Sequence, residues 1–136
     1  MCAADPVSDS LQAFCRAVPG AQSLKDNRQV VEHADIIFLA VKPQQLAGAA
    51  EQIGGRIGKD KLVVSIAAGV RLKTLADALG TERLVRVMPN TPSLVGSGAS
   101  GYSLGLEATA ADADENCIIR MTPASWTASD FSKEYA

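Results

Sequence analysis

The sequence predicts an α/β domain built on a parallel sheet, and two observations support this prediction. The first is a set of three short, continuous apolar runs rich in β-branched residues, at Ile36–Val41, Leu62–Ala67 and Leu84–Met88. Runs of this length are typical of parallel strands buried on both faces. The second is a helical spacing of apolar residues between the runs. Strand, helix, strand, helix, strand implies right-handed crossovers and therefore a parallel sheet.

The two helices between the runs have recognisable ends. Pro43 stands where the first helix would begin, since proline is favoured at the first helical position. Gly54-Gly55 would end that helix, and Gly80 is the expected C-cap of the second. The apolar stripes are Leu46, Ala49, Ala50 and Ile53 in the first helix and Leu72, Leu75, Ala76 and Leu79 in the second.

The segments before the first run carry weaker patterns. Met1–Ala4 is interpreted as the remnant of a strand, and Ser8 or Asp9 would cap the helix that follows. Residues 21–24 are predicted as a short strand, and Asn27 would cap a brief helix after it. The sequence therefore predicts two further strand and helix pairs ahead of Ile36.

Beyond the third run, residues 99–104 are predicted as one more strand. Thr109 and Asp112 have the spacing of a capping box, which favours a helix over residues 107–121. Residues 122–136 are polar and aperiodic, and a disordered tail is expected there. The predicted organisation is a domain over residues 1–106, a helix over 107–121 and a tail over 122–136.

Composition limits the class of protein. The 136 residues are 47% hydrophobic and 21% charged, as in a soluble globular domain. A net charge of -2 gives no electrostatic case for a nucleic acid or an anionic membrane as partner. No apolar run reaches the ~20 residues of a membrane span, and no secretory signal is recognisable. The odd set of cysteines, Cys2, Cys15 and Cys117, and the single His33 give no metal-type spacing, so we expect a cytoplasmic protein without a metal.

Candidate binding residues follow the predicted strands, where ligands bind in open α/β sheets. Ala40–Pro43 joins a strand to a helix whose N-terminus, with Lys42, would attract an anion; an ordinary turn with a solvated lysine is the alternative. The small residues of Ile66–Ala68 would let a flat ligand approach the backbone, although a tight turn that needs Gly69 is the more common explanation of such a segment. Asp5 would accept hydrogen bonds from a ribose, or would simply stabilise a turn.

The most informative segment is residues 86–92, Arg-Val-Met-Pro-Asn-Thr-Pro. Pro89 and Pro92 stiffen the loop after the third strand, because each fixes its own φ and restricts the residue before it. The loop holds the polar side chains of Asn90 and Thr91 at the end of a buried strand.

Together, three segments resemble the pyrroline-5-carboxylate reductase family, the last enzyme of proline synthesis. The matching residues are Ala34–Pro43, Leu62–Val70 and Val87–Pro92, in this order. The resemblance implies a Rossmann domain that uses NADPH or NADH to reduce the ring C=N of the small molecule 1-pyrroline-5-carboxylate to L-proline. It also implies a homo-oligomer built by a second, helical domain, and no metal.

By this resemblance, specific residues acquire roles. Those implied for the cofactor are Asp5, Val7, Asn27, Ala40, Val41, Lys42, Pro43, Ile66, Ala67 and Ala68. Those implied for the nicotinamide and the substrate entrance are Met88, Pro89, Asn90 and Thr91. No catalytic side chain is implied, because the cofactor carries the chemistry. The carboxylate of Asp5 favours NADH over NADPH, since it would repel a 2′-phosphate, but the sequence leaves this choice open.

The chain also departs from the family. The expected fold is a partial Rossmann-type doubly wound parallel sheet that lacks the first strand and the Gly-rich loop, and the helical domain is missing. Met1–Ala4 is therefore expected to have no partner beside Ile36–Val41, and the chain alone is expected to be weakly active or inactive. Two alternatives stay open: a non-catalytic remnant that binds nucleotide or packs on a partner, and a Rossmann dehydrogenase of the β-hydroxyacid type.

Overall fold

The computed structural model describes residues 1–92 and 99–113. Its elements in chain order are β1 (Cys2–Ala3), α1 (Ser8–Ala17), β2 (Gln22–Ser23), α2 (Asn27–His33), β3 (Ile36–Leu39), a 3₁₀ turn (Pro43–Gln45), α3 (Leu46–Ile53), β4 (Leu62–Ser65), α4 (Leu72–Leu79), β5 (Leu84–Pro89), β6 (Ser100–Leu104) and a second 3₁₀ turn (Ala110–Ala113). The predicted α/β class is confirmed. The predicted helix beyond residue 113 and the tail 122–136 lie outside the described residues.

The described strands form two separate sheets. In the larger sheet β3, β4 and β5 are parallel, and β6 joins the far edge antiparallel to β5. In the smaller sheet β1 pairs with β2 in parallel. The sequence predicts that β1 does not pair with β3, and among the described strands they do not pair. Strand β3 is therefore an edge of the larger sheet.

Helices α2, α3 and α4 lie on one face of the larger sheet. The main core cluster joins α2, α3 and α4 to this face and contains Val31, Ile37, Leu39, Leu46, Ala49, Ala50, Ile53, Val63, Ala67, Val70, Leu75, Ala76, Leu79 and Leu84. The opposite face carries a smaller cluster of Leu62, Val64, Ile66, Val85 and Val87. That cluster ends at β3, where Ile36 and Phe38 on the same face are 41% and 38% exposed. The side chains of α1 are not buried.

Two predicted helix caps are wrong. Helix α1 begins at Ser8 with Val7 as its N-cap, so neither Ser8 nor Asp9 caps it. The cap of α2 is Asp26, whose carboxylate accepts a hydrogen bond from the Gln29 amide at 3.0 Å, and Asn27 is the first helical residue. Asp and Asn cap about equally well, so the pattern Asp-Asn could not choose between them.

The predicted helix end at Gly80 is confirmed. Gly80 has φ +69° and ψ 29°, a left-handed conformation that costs glycine no steric penalty. The strand bounds also shift slightly: β3 ends at Leu39 and β4 at Ser65, two residues before the apolar runs end, whereas β5 continues to Pro89. Composition alone does not show where an apolar run turns.

A polar cluster fastens the segment after β6 to the start of β5. The guanidinium of Arg83 donates to the Asp60 carbonyl and, at 2.9 Å, to the Asp112 carboxylate. The other carboxylate oxygen of Asp112 accepts from the Thr109 amide at 2.8 Å and hydroxyl at 2.9 Å. The backbone bond from Thr109, then the bonds from Arg83 and the hydroxyl, lower the pKa of Asp112 below its ordinary value.

We expect Asp112→Asn to destabilise the fold at neutral pH by roughly 1 kcal/mol, the value of a hydrogen bond to a partly exposed charged group. Because the folded pKa is lowered, this stabilisation is complete above the unfolded pKa and is lost as the pH falls through the folded pKa. Urea unfolding of both proteins should therefore differ at pH 7 and converge well below about pH 4.

The matched control is Asp77→Asn, since Asp77 pairs with Lys73 on an exposed helix face, with side chains 64% and 85% exposed. We expect almost no change there. If Asp112→Asn and Asp77→Asn lost equal stability at every pH, the stabilisation could not be assigned to the hydrogen bonds between Asp112, Arg83 and Thr109.

Candidate functional site

Three loops meet at the carboxyl edge of the larger sheet. Ala40–Pro43 follows β3, Ile66–Ala68 follows β4 and Asn90-Thr91 follows β5. Because β3, β4 and β5 are parallel and adjacent, their carboxyl ends lie side by side. This edge is where open α/β sheets bind ligands.

The loop after β3 presents a cation. Lys42 is exposed, and its carbonyl accepts from the Gln45 amide at 2.9 Å to close the 3₁₀ turn that begins at Pro43. The α-helix itself begins only at Leu46. Among the described residues no carboxylate pairs with Lys42, while Val41 behind it packs against the main core cluster. The loop therefore carries a positive charge on an anchored backbone.

The loop after β4 offers backbone more than side chains. Ile66 and Ala67 are 6% and 2% exposed, and each is buried in one of the two clusters. Ala68 is half-buried and Gly69 is exposed. Gly69 has φ +70°, and a Cβ built there meets nothing within 4 Å. A flat group can therefore reach the backbone at Ala68 and Gly69.

The loop after β5 is held by its own side chain. Met88 and Pro89 are half-buried, and Asn90 and Thr91 are exposed. The side-chain oxygen of Asn90 accepts from the Ala99 amide at 3.0 Å. This bond links the residue after β5 to the residue before β6, and the sequence could not reveal it because the partner is nine residues away.

The smaller sheet carries the residues expected near the ribose. The carboxylate of Asp5 accepts from the Val7 amide at 2.7 Å, an Asx-type turn directly after β1. Both residues are exposed. Asp5 therefore stabilises a turn, its second carboxylate oxygen makes no hydrogen bond to the described residues, and its role at a ribose stays a prediction.

Asn27 lies apart from the loops of the larger sheet. Its side-chain amide donates to the Gln52 side chain at 2.9 Å. Gln52 belongs to the last turn of α3, about 9 Å along the axis from Leu46, where the helix begins. The structure therefore does not bring Asn27 together with Lys42, and its cofactor role stays a prediction.

Arg86 is a residue to which the sequence analysis assigned no functional role. It lies in the middle of β5, half-buried, and its Nε atom is buried without a hydrogen-bond partner among the described residues. The available signal was a single charged residue inside the apolar run Leu84–Met88.

Two further properties concern the described part of the chain, residues 1–92 and 99–113. Within it, no cluster of three or more His, Cys, Asp or Glu side chains is arranged to hold a metal ion. No helix in these ranges has the length and apolar character needed to cross a membrane.

A parallel sheet with ligand-accessible loops at its carboxyl edge defines the class of Rossmann-type nucleotide-binding α/β domains. The family model described as NADP oxidoreductase, coenzyme F420-dependent, matches residues 1–69, about half of the chain. The chain belongs to this family, and within it to the pyrroline-5-carboxylate reductases, as the resemblance predicts.

Curated relatives support this assignment. The pyrroline-5-carboxylate reductase of Glycine max is 43% identical over 102 residues, which are 75% of this chain and 36% of the relative. Those of Methanosarcina acetivorans and Escherichia coli are 47% and 46% identical over 110 and 85 residues, covering 77% and 62% of this chain. The chain spans 40% and 32% of these two proteins, so it matches only part of each relative.

Solved structures support the fold. The pyrroline-5-carboxylate reductase of Coxiella burnetii matches with a TM-score of 0.74 and 34% identity, over 82% of this chain and 42% of that one. The Plasmodium falciparum pyrroline carboxylate reductase, solved with NADP bound, matches with a TM-score of 0.69 and 25% identity, over 91% and 44%. The Rossmann-type fold class is confirmed.

Proposed function

We propose that this protein functions in the NAD(P)H-dependent reduction of 1-pyrroline-5-carboxylate to L-proline. The observation that carries the proposal is the segment Met88–Thr91, which includes the last two residues of β5, beside the loops after β3 and β4. The names of the similar proteins support 1-pyrroline-5-carboxylate as the substrate. The NADP bound in the Plasmodium falciparum structure supports a nicotinamide dinucleotide as the cofactor.

The residues at this edge fit the cofactor. The open space at Gly69 and the half-buried Ala68 leave room for a flat ring against the backbone. Lys42 would balance the charge of a phosphate, and Met88–Thr91 would border the nicotinamide. The bound cofactor supplies the hydride, and the chain supplies position and electrostatics. Residues 1–106 would form this dinucleotide-binding unit.

The test is proline formation by the purified 136-residue chain with 1-pyrroline-5-carboxylate and either NADPH or NADH, with calorimetric titration of each cofactor alongside. Proline formation supports the proposal, and the better cofactor settles the choice that Asp5 leaves open. Cofactor binding without turnover favours the nucleotide-binding remnant. Turnover of a β-hydroxyacid instead favours the other dehydrogenase class. The same assay tests the expectation of weak activity, while the cytoplasmic location and the oligomeric state stay predictions.

We expect Asn90→Ala to slow hydride transfer by about tenfold or more while changing stability little. The side chain is exposed, so its loss costs only one hydrogen bond, about 1 kcal/mol. Asn90 and its neighbours in Met88–Thr91 would border the reacting ring, where small displacements are costly. The measurement is single-turnover cofactor oxidation in the active protein together with its thermal midpoint.

Asn90→Asp is the matched variant, because it keeps the oxygen that accepts from Ala99. It should retain more of the rate than Asn90→Ala. A rate unchanged by Asn90→Ala, with a clearly lower thermal midpoint, would show that the residue only stabilises the fold.

A further inference from the structure

Arg86 occupies an unusual position for a charged side chain. Strand residues alternate between faces, so Arg86 lies on the face of Leu84, which belongs to the main core cluster. Its neighbours in register are Ser65 on β4 and Ser103 on β6. Both are small, and Ser65 is completely buried. The side chains beside Arg86 on the two neighbouring strands are therefore short and uncharged.

The guanidinium lacks the partners that such a position normally requires. Its Nε atom is buried and makes no hydrogen bond to any described residue, and the ion pairs of the same residues, Lys73–Asp77 and Arg83–Asp112, do not include it. A buried donor without an acceptor costs about 1–3 kcal/mol, more when the group is charged. Buried polar groups in native proteins are nearly always paired with a protein group, a water molecule or a bound ion, so this Nε–H can donate one further hydrogen bond to a bound group.

The position also limits what the acceptor can be. Arg86 is four residues before Asn90, on the strand that leads into the loop at the carboxyl edge. An arginine fork recognises planar oxyanions through paired hydrogen bonds, which a neutral acceptor matches less well. No acidic side chain of the described residues is available to it as an ion-pair partner.

We propose that Arg86 binds an oxyanion, a carboxylate or a phosphate, through its guanidinium. The assignment of this anion to the substrate or to the dinucleotide rests on the proposed function, whereas the anion site itself does not. Arg86 is then the residue that fixes the charged end of a bound molecule relative to the loops of the carboxyl edge.

The first test observes Arg86 directly in the unaltered chain. The protein is labelled with ¹⁵N-arginine, and the Nε–H resonance of Arg86 is assigned by its absence in Arg86→Lys. Inorganic pyrophosphate probes the phosphate source and L-proline the carboxylate source. Pyrrolidine, which is proline without its carboxylate, is the control. We expect the resonance to shift with at least one anion and not with pyrrolidine.

The second test measures affinity. Arg86→Met keeps the length of the side chain and removes the charge, and it should weaken binding of the responsive anion by about 10- to 100-fold. The anion affinity of Arg86→Lys should lie between those of the unaltered chain and Arg86→Met, because lysine keeps the charge but lacks the paired N–H donors of the guanidinium. The control is Arg56→Met, since Arg56 is exposed between α3 and β4; its affinities should stay within about twofold of the unaltered chain.

The outcomes separate the sources. If Arg86→Met loses affinity for proline alone, the bound anion is a carboxylate. If it loses affinity for pyrophosphate, NADPH and NADH alone, the bound anion is a phosphate. An Nε–H resonance that no anion moves, or affinities unchanged in Arg86→Met with a lowered thermal midpoint, would overturn the proposal in favour of a structural role. Should Arg86→Met fail to fold, the resonance titration and Arg86→Lys decide the question.

The same experiments distinguish the two proposals. If Arg86→Met binds the cofactors normally and no anion shifts the Arg86 resonance of the unaltered chain, the proposed function stands and the anion site does not. If the Arg86 resonance shifts with pyrophosphate but the unaltered chain binds neither NADPH nor NADH, the anion site stands and the proposed function does not. An unaltered chain that responds to none of these molecules contradicts both.

Discussion

Replacing Leu75 by alanine should lower the free energy of unfolding by about 3 kcal/mol or more. Leu75 lies in α4 and is completely buried in the main core cluster between the helices and the sheet. Its truncation removes buried methyl groups and leaves a cavity that the neighbouring backbone cannot fill, and such substitutions cost about 2–5 kcal/mol. Urea unfolding followed by circular dichroism measures the change.

Leu106→Ala is the matched control for this substitution. Leu106 is the same residue type but is 89% exposed, so its truncation should change stability by less than about 0.5 kcal/mol. Similar losses in the two variants would mean that the described core is not the source of stability.

Replacing Gly105 by alanine should destabilise the fold by roughly 2–3 kcal/mol. Gly105 is buried after β6, and its amide donates to the Leu84 carbonyl at 2.8 Å. An added Cβ would lie 3.1 Å from that carbonyl oxygen and still closer to the carbonyl oxygen of Glu82. Both obstacles are backbone atoms at the start of β5, so relief requires the chain to move away from β5.

Gly101→Ala tests whether the effect of Gly105→Ala arises from this close approach. Gly101 lies in β6 itself, and an added Cβ there meets nothing within 4 Å. We expect Gly101→Ala to be neutral or slightly stabilising, because alanine has less backbone freedom to lose than glycine. Thermal midpoints of the two variants provide the comparison, and equal losses would contradict the steric explanation.

Much of the fold was predictable because each signal acts over a few residues. The three apolar runs predicted β3, β4 and β5, and the helical stripes with Gly54 and Gly80 predicted α3 and α4. Periodicity and glycine conformation are local properties, so no knowledge of packing was needed. The caps of α1 and α2 were assigned wrongly, because neighbouring residues with similar capping strength differ only in their final geometry.

The candidate site was predictable only in part. The sequence indicated the loops after β3, β4 and β5, because ligand sites in parallel sheets follow the carboxyl ends of strands. It could not show that the Asn90 amide closes its loop onto Ala99 or that Asn27 bonds to Gln52. These contacts depend on residues far away in the chain.

The sequence by itself determined the α/β class, the parallel order of the strands and the family, because these depend on patterns that are local or shared with relatives. The tertiary structure alone decided that Phe38 is exposed at an edge of the sheet and that the Nε atom of Arg86, which lies between two serines in register, has no acceptor among the described residues. Strand pairing and burial are properties of the assembled sheet, since they join residues that the chain order keeps apart.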